Sequence, residues 1–125
     1  MVTKNIDASQ NVGAGFGSCG TEPVLWSTPR TNRTGAMSFQ ITDIDNGKTW
    51  DTAKFTMWLY SQSGFLIEGP VSVTKHWGVN SPSGQFGIVP ASTFRLRTQV
   101  TNILKDGFPL QCRWGAWKGT ISFIE

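Results

Sequence analysis

A chain of 125 residues suits a single domain, long enough to bury about two-thirds of its unfolded surface around one core without a metal or a dense set of disulfides. Charged residues make up only 15% and hydrophobic residues 38%, and 14 glycines are scattered among many Ser, Thr and Asn; this excludes a long-helix protein and points to an all-β domain rich in turns. The net charge of +3 leans towards anionic partners, but no run of four basic residues occurs and acids lie among the bases, which argues against a nucleic-acid binder.

Residues 1–20 begin polar and become Gly-rich through Gly13, Gly15, Gly17 and Gly20, a composition expected to form a flexible lead-in, with one β domain over 21–125. No apolar stretch approaches the roughly 18 residues of a membrane-spanning helix. Met1 is followed by Val2-Thr3-Lys4-Asn5, not by a hydrophobic signal region, so the chain reads as intracellular or as a trimmed mature form. Cys19 and Cys112 favour the second reading and a secreted protein. They flank most of the domain in no redox or zinc spacing, and a disulfide between them would contribute on the order of 4 to 5 kcal/mol by loop closure.

Val24-Leu25-Trp26 is a first short strand, and 29–35 is a turn-rich loop. Met37 to Thr42 alternates apolar and polar residues, and Asp45-Asn46-Gly47 then predicts a hairpin into a strand at Lys54 to Tyr60. In that second strand Phe55, Met57 and Leu59 share one face, and Trp58 and Tyr60 the other, as expected of a strand central to a sandwich. Phe65-Leu66-Ile67 continues the meander, and Val71 to Trp77 alternates after Pro70. A loop follows over 78–84, then a short strand from Phe86 to Val89. Thr93 to Thr101 is the most regular strand: Phe94, Leu96, Thr98 and Val100 face inward, and Arg95 and Arg97 form a positive patch outside. Residues 102–109 read as a loop or one helical turn, and Leu110 to Trp114 and Thr120 to Ile124 close the fold. The sum is a single-domain antiparallel β-sandwich of about eight short strands, with a closed β-barrel as second choice.

Catalytic signatures are weak. His76 is the only histidine, no Gly-x-Ser-x-Gly elbow accompanies it, and the eight acids lie mostly in turn-like places. Asp43, Asp45 and Asp51 resemble an oxygen-rich calcium loop, but the glycine comes one position early and no Glu closes it, so an ordinary turn is the expectation and no cofactor is assigned. The six tryptophans carry more information. Most lie near strand ends beside glycine or polar residues, where an indole can stack on the face of a sugar ring. The expected site is a rim of Trp77, Trp117, His76, Arg95 and Arg97 on a secreted, non-catalytic protein that binds a polysaccharide or cell-surface glycan. The alternative is a small secreted toxin, antimicrobial protein or inhibitor that docks on an anionic membrane surface or a protein target.

Overall fold

The computed structural model describes residues 1–6, 12–14, 24–44, 48, 50–109 and 113–125. The described strands are β1 (Val2–Asn5), β2 (Val12–Ala14), β3 (Val24–Trp26), β4 (Arg30–Asn32), β5 (Gly35–Ile44), β6 (Thr52–Ser61), β7 (Leu66–His76), β8 (Ser83–Val89), β9 (Ser92–Lys105), β10 (Phe108–Pro109), β11 (Arg113–Gly115) and β12 (Trp117–Phe123). Two antiparallel sheets face each other as a β-sandwich that does not close into a barrel. The smaller sheet runs β1-β12-β5-β8; the larger runs β10-β9-β6-β7, with β3 and β4 also paired to β9, and β2 and β11 form a separate two-stranded ribbon. No helix among the described residues is long and apolar enough to cross a membrane.

β6 and β9 hold the larger sheet together because each has one buried, mainly apolar face, that of β9 interrupted only by Thr98. Phe55, Met57 and Leu59 on β6 and Phe94, Leu96 and Val100 on β9 are buried, as the alternation predicts. Met37, Phe39, Ile41, Ile44, Ile121 and Phe123 meet them from the smaller sheet. Each of these side chains contributes roughly 1.5 to 3 kcal/mol by leaving water. Phe94 meets Phe123 edge-on across the core at 5.3 Å. The outer border of β9 is covered in pieces by β4, β3 and β10. Between β3 and β4, Ser27 takes over: its amide donates to the Leu96 carbonyl at 3.0 Å, and its hydroxyl oxygen accepts from the Leu96 amide at 2.8 Å.

Several local expectations are corrected. β5 and β6 do not form a hairpin, since β5 pairs with β12 and β8, and β6 with β7 and β9, so the two strands belong to different sheets. Each strand has a full apolar face, and placing the two in opposite sheets turns those faces towards one another. β9 continues past Thr101 to Lys105 because Asn102, at φ 52°, takes up one extra residue where the register with β6 shifts, and this returns Ile103 to the core. The expected loop over 102–109 is instead a tight hairpin from β9 to β10. Asp106 and Gly107 both have positive φ, 52° and 80°, as a type I′ turn requires. Part of the 29–35 loop is β4. Within the N-terminal segment, Val2–Asn5 pairs with β12 and Ile6 is buried. Cys19 and Cys112 lie outside the described residues.

Candidate functional site

β7 ends at His76, and the turn that follows is set by Asn80. The Asn80 side-chain oxygen accepts from the His76 amide at 2.7 Å, and its side-chain nitrogen donates to the Thr74 carbonyl at 3.1 Å. Beneath the turn Lys75 is only 3% exposed, and its Nζ donates to the backbone carbonyls of Asn80 and His76. A buried ammonium satisfied by two turn carbonyls fixes the shape of the turn. Trp77 is thereby held out at 47% exposure, its amide donating to the Asp51 carbonyl at 2.8 Å. Beside it lies a cleft of about 400 Å³, lined by Thr42 and Asp43 from β5 and by Lys75, Trp77, Asn80 and Ser81 among others. An aromatic wall faces hydroxyl, carboxylate and amide groups there, the mix that holds a polar small ligand. His76 stands next to Trp77, with Nδ1 3.4 Å from the Thr52 hydroxyl.

A second arrangement occupies the outward face of the larger sheet. Arg97 lies between Trp26 on β3 and Trp58 on β6 in the strand register, and its guanidinium sits 4.8 Å from the Trp58 ring centre. Arg95 lies over Trp26 at 5.3 Å and donates from Nε to the Ser27 carbonyl at 3.1 Å. Trp26 meets Tyr60 edge-on at 5.3 Å. Each such cation–π contact is worth about 0.5 to 1 kcal/mol at an exposed site.

The five residues expected to share one rim therefore do not share it. Trp77 lines the cleft, its chain neighbour His76 turns its ring to the Thr52 hydroxyl and is not part of the lining, and Arg95 and Arg97 stand together on the sheet face. Along β6 the two places are about 20 Å apart, six residues from Thr52 to Trp58. Trp117 belongs to neither: it is 1% exposed and its ring packs 5.2 Å from that of Phe55. An indole so enclosed cannot stack on a ligand, so its assignment to the rim is corrected. The nearby Gly119 marks a close approach. A Cβ there would stand 2.9 Å from the Gln40 carbonyl oxygen and 3.0 Å from the Trp117 ring.

The cleft residues Thr42 and Asn80 had no sequence signal of their own, and Asp43 was singled out only as one of the acids weighed for calcium. Trp58 and Tyr60 did have one, because the alternation along β6 already placed them off the core face. Asp51, one of the acids weighed for calcium, is engaged locally: its carboxylate accepts from the Asp106 amide at 2.8 Å and from the Thr52 hydroxyl at 3.2 Å. Asp45 lies outside the described residues.

No family model and no curated protein sequence matches the chain. Solved structures match in shape. An isomalto-dextranase from Arthrobacter globiformis T6, solved with panose, aligns with 89% of this chain at a TM-score of 0.50 and 16% identity. The match spans only 18% of that enzyme's chain. A chain of the T13 particle of infectious bursal disease virus aligns with 99% of this chain and 31% of its own, at a TM-score of 0.50 and 8% identity. The carbohydrate-binding module CBM36, solved with calcium and xylotriose, aligns with 98% of this chain and 99% of its own at a TM-score of 0.48 and 11% identity. At such identities the likeness concerns the fold, which is shared by proteins with different tasks.

Proposed function

We propose that this chain is a non-catalytic carbohydrate-binding domain that works outside the cell, with the Trp77 cleft as its sugar site. One observation carries the reading: a 47% exposed indole, on a turn held by Asn80 and Lys75, borders a cleft of about 400 Å³ whose other walls are mainly hydroxyl, carboxylate and amide groups. A sugar ring offers an apolar face to such an indole and hydroxyls to the Thr42, Asp43 and Asn80 side. Asp43 is the one carboxylate among the described lining residues, while glycoside hydrolysis ordinarily uses a pair flanking the bond, so binding fits the cleft better than cleavage. Because the fold also occurs in the panose-bound dextranase and in a virus particle, it does not choose the ligand. The cleft does.

A docking role has one observation in its favour. Val79 in the turn after β7 and Phe108 at the start of β10, 81% and 73% exposed, lie at the same end of the molecule as Trp77. A glycan array probed with the wild type and with Trp77→Ala separates the two. The expected result is binding to a subset of glycans that weakens about tenfold or more, about 1.4 kcal/mol, in the variant with no change in melting temperature. Binding to anionic vesicles but to no glycan would overturn the carbohydrate reading.

A further inference from the structure

The outward positions of the two central strands are Thr52, Lys54, Thr56, Trp58 and Tyr60 on β6, and Thr93, Arg95, Arg97, Gln99 and Thr101 on β9. Three are cationic and none is acidic. The acid nearest in register is Glu68 on the border strand β7, opposite Leu59. An arginine on a sheet surface is commonly balanced by an acid directly across the strand. Here Arg97 has Trp26 on one side and Trp58 on the other, and Arg95 is opposite Tyr60. The aromatics fix the guanidinium planes without neutralising them. Arg95 donates from Nε to the Ser27 carbonyl at 3.1 Å, and its guanidinium carbon lies 5.3 Å from the Trp26 ring centre. Two planar forks two residues apart on one strand, about 7 Å, are built to receive repeated oxyanions.

We infer that this face is a second binding surface, for an acidic polysaccharide bearing carboxylate or sulfate groups. The choice of a polysaccharide rests on the carbohydrate reading of the cleft, and two features of the face support it further. The Trp58 and Trp26 rings already carry a guanidinium, so they are poorly placed for the base stacking that single-stranded nucleic acid relies on. Hydroxyls line the same face, among them Thr56 and Ser72, whose oxygens are 2.8 Å apart, and these suit a hydroxyl-rich polymer.

The test compares binding of the full chain to polygalacturonate, to uncharged dextran and other neutral glycans, and to oligo(dT), at low and high salt. The variants are Arg95→Gln/Arg97→Gln, Arg95→Lys/Arg97→Lys, Trp77→Ala and the charge-matched control Lys4→Gln/Arg33→Gln. Polygalacturonate should bind with marked salt dependence, weaken about tenfold in the double Gln variant and by less in the double Lys variant, and change little in Trp77→Ala or in the control. The melting temperature of the Lys pair checks that the face remains folded. Equal losses in the Gln pair and the control would reduce the effect to net charge and overturn the inference, as would tighter binding to oligo(dT). The two proposals fail separately. Neutral-glycan binding that needs Trp77, with polygalacturonate indifferent to the arginines, leaves only the cleft standing. Arginine-dependent polygalacturonate binding with no neutral glycan bound leaves only the sheet face.

Discussion

Trp77 and Trp117 look alike in the sequence, each close to a glycine and next to a basic or imidazole side chain, yet one is an exposed wall and the other a core pillar. The glycines decide it. Gly78, at φ 72°, lets the chain leave the sheet directly after Trp77, and a Cβ there would meet open space. Gly119 lies inside β12, where missing side-chain bulk lets the strand press against Gln40 and the Trp117 ring. A glycine that grants a turn and a glycine that permits close packing are the same letter, so context within about three residues cannot separate an indole that will be exposed from one that will be buried.

The contrast can be broken most forcefully at Trp117. Replacement by Ala should cost about 3 to 5 kcal/mol in denaturant unfolding, through the cavity it leaves. Trp117→Phe should cost distinctly less, because the indole Nε1 is buried without a hydrogen-bond partner among the described residues and Phe removes that orphan donor. A Trp117→Ala protein as stable as the wild type would mean the pillar is misplaced. Nearly as large an effect, about 2 to 5 kcal/mol, is expected of Leu96→Ala on the inner face of β9. Its neighbour Arg97→Ala should lose no more than about 1 kcal/mol, the worth of an exposed cation–π contact. Similar losses at the two positions would show that the register of β9 is wrong.

Smaller again is Asn80→Ala, which removes both side-chain bonds that shape the turn. About 1 kcal/mol of stability should go, and glycan affinity should fall with it although Asn80→Asp largely restores the His76 contact. Smallest in stability is Trp77→Ala, expected within about 0.5 kcal/mol of wild type by thermal unfolding. A drop of several kcal/mol there would place Trp77 in the core and erase the contrast.

Strand identity was legible wherever one face is mainly apolar, as in β5, β6 and β9, because burial enforces a period of two. Which strands become neighbours was not. Asp45-Asn46-Gly47 announces a reversal of direction, and a reversal within one sheet and a passage between two sheets carry the same local chemistry. The end of β9 was missed for a related reason: the bulge at Asn102 shifts the alternation by one residue, so Ile103 falls out of phase with Phe94 to Val100. Asp106-Gly107 was a hairpin signal that the sequence did display. The cleft was only half visible, since Trp77, Asn80 and Ser81 lie close together in the chain, while Thr42 and Asp43 reach it only through the packing of one sheet on the other. On the sheet face Arg95 and Arg97 could be read from β9 alone, but Trp26 and Trp58 join them from strands about 70 and 40 residues earlier, a spacing set by topology.

β7 is the border strand of the larger sheet, and its pairing with β6 breaks register on either side of Leu59, near Gly69 and Pro70. Proline has no amide hydrogen to offer a neighbouring backbone, and an irregular border presents no straight row of donors and acceptors. Two copies of the chain therefore have little template for zipping together along that margin. The protein should stay dispersed at high concentration, and Pro70→Thr should make concentrated samples associate, visible as a rise in light scattering with no loss of the native fold.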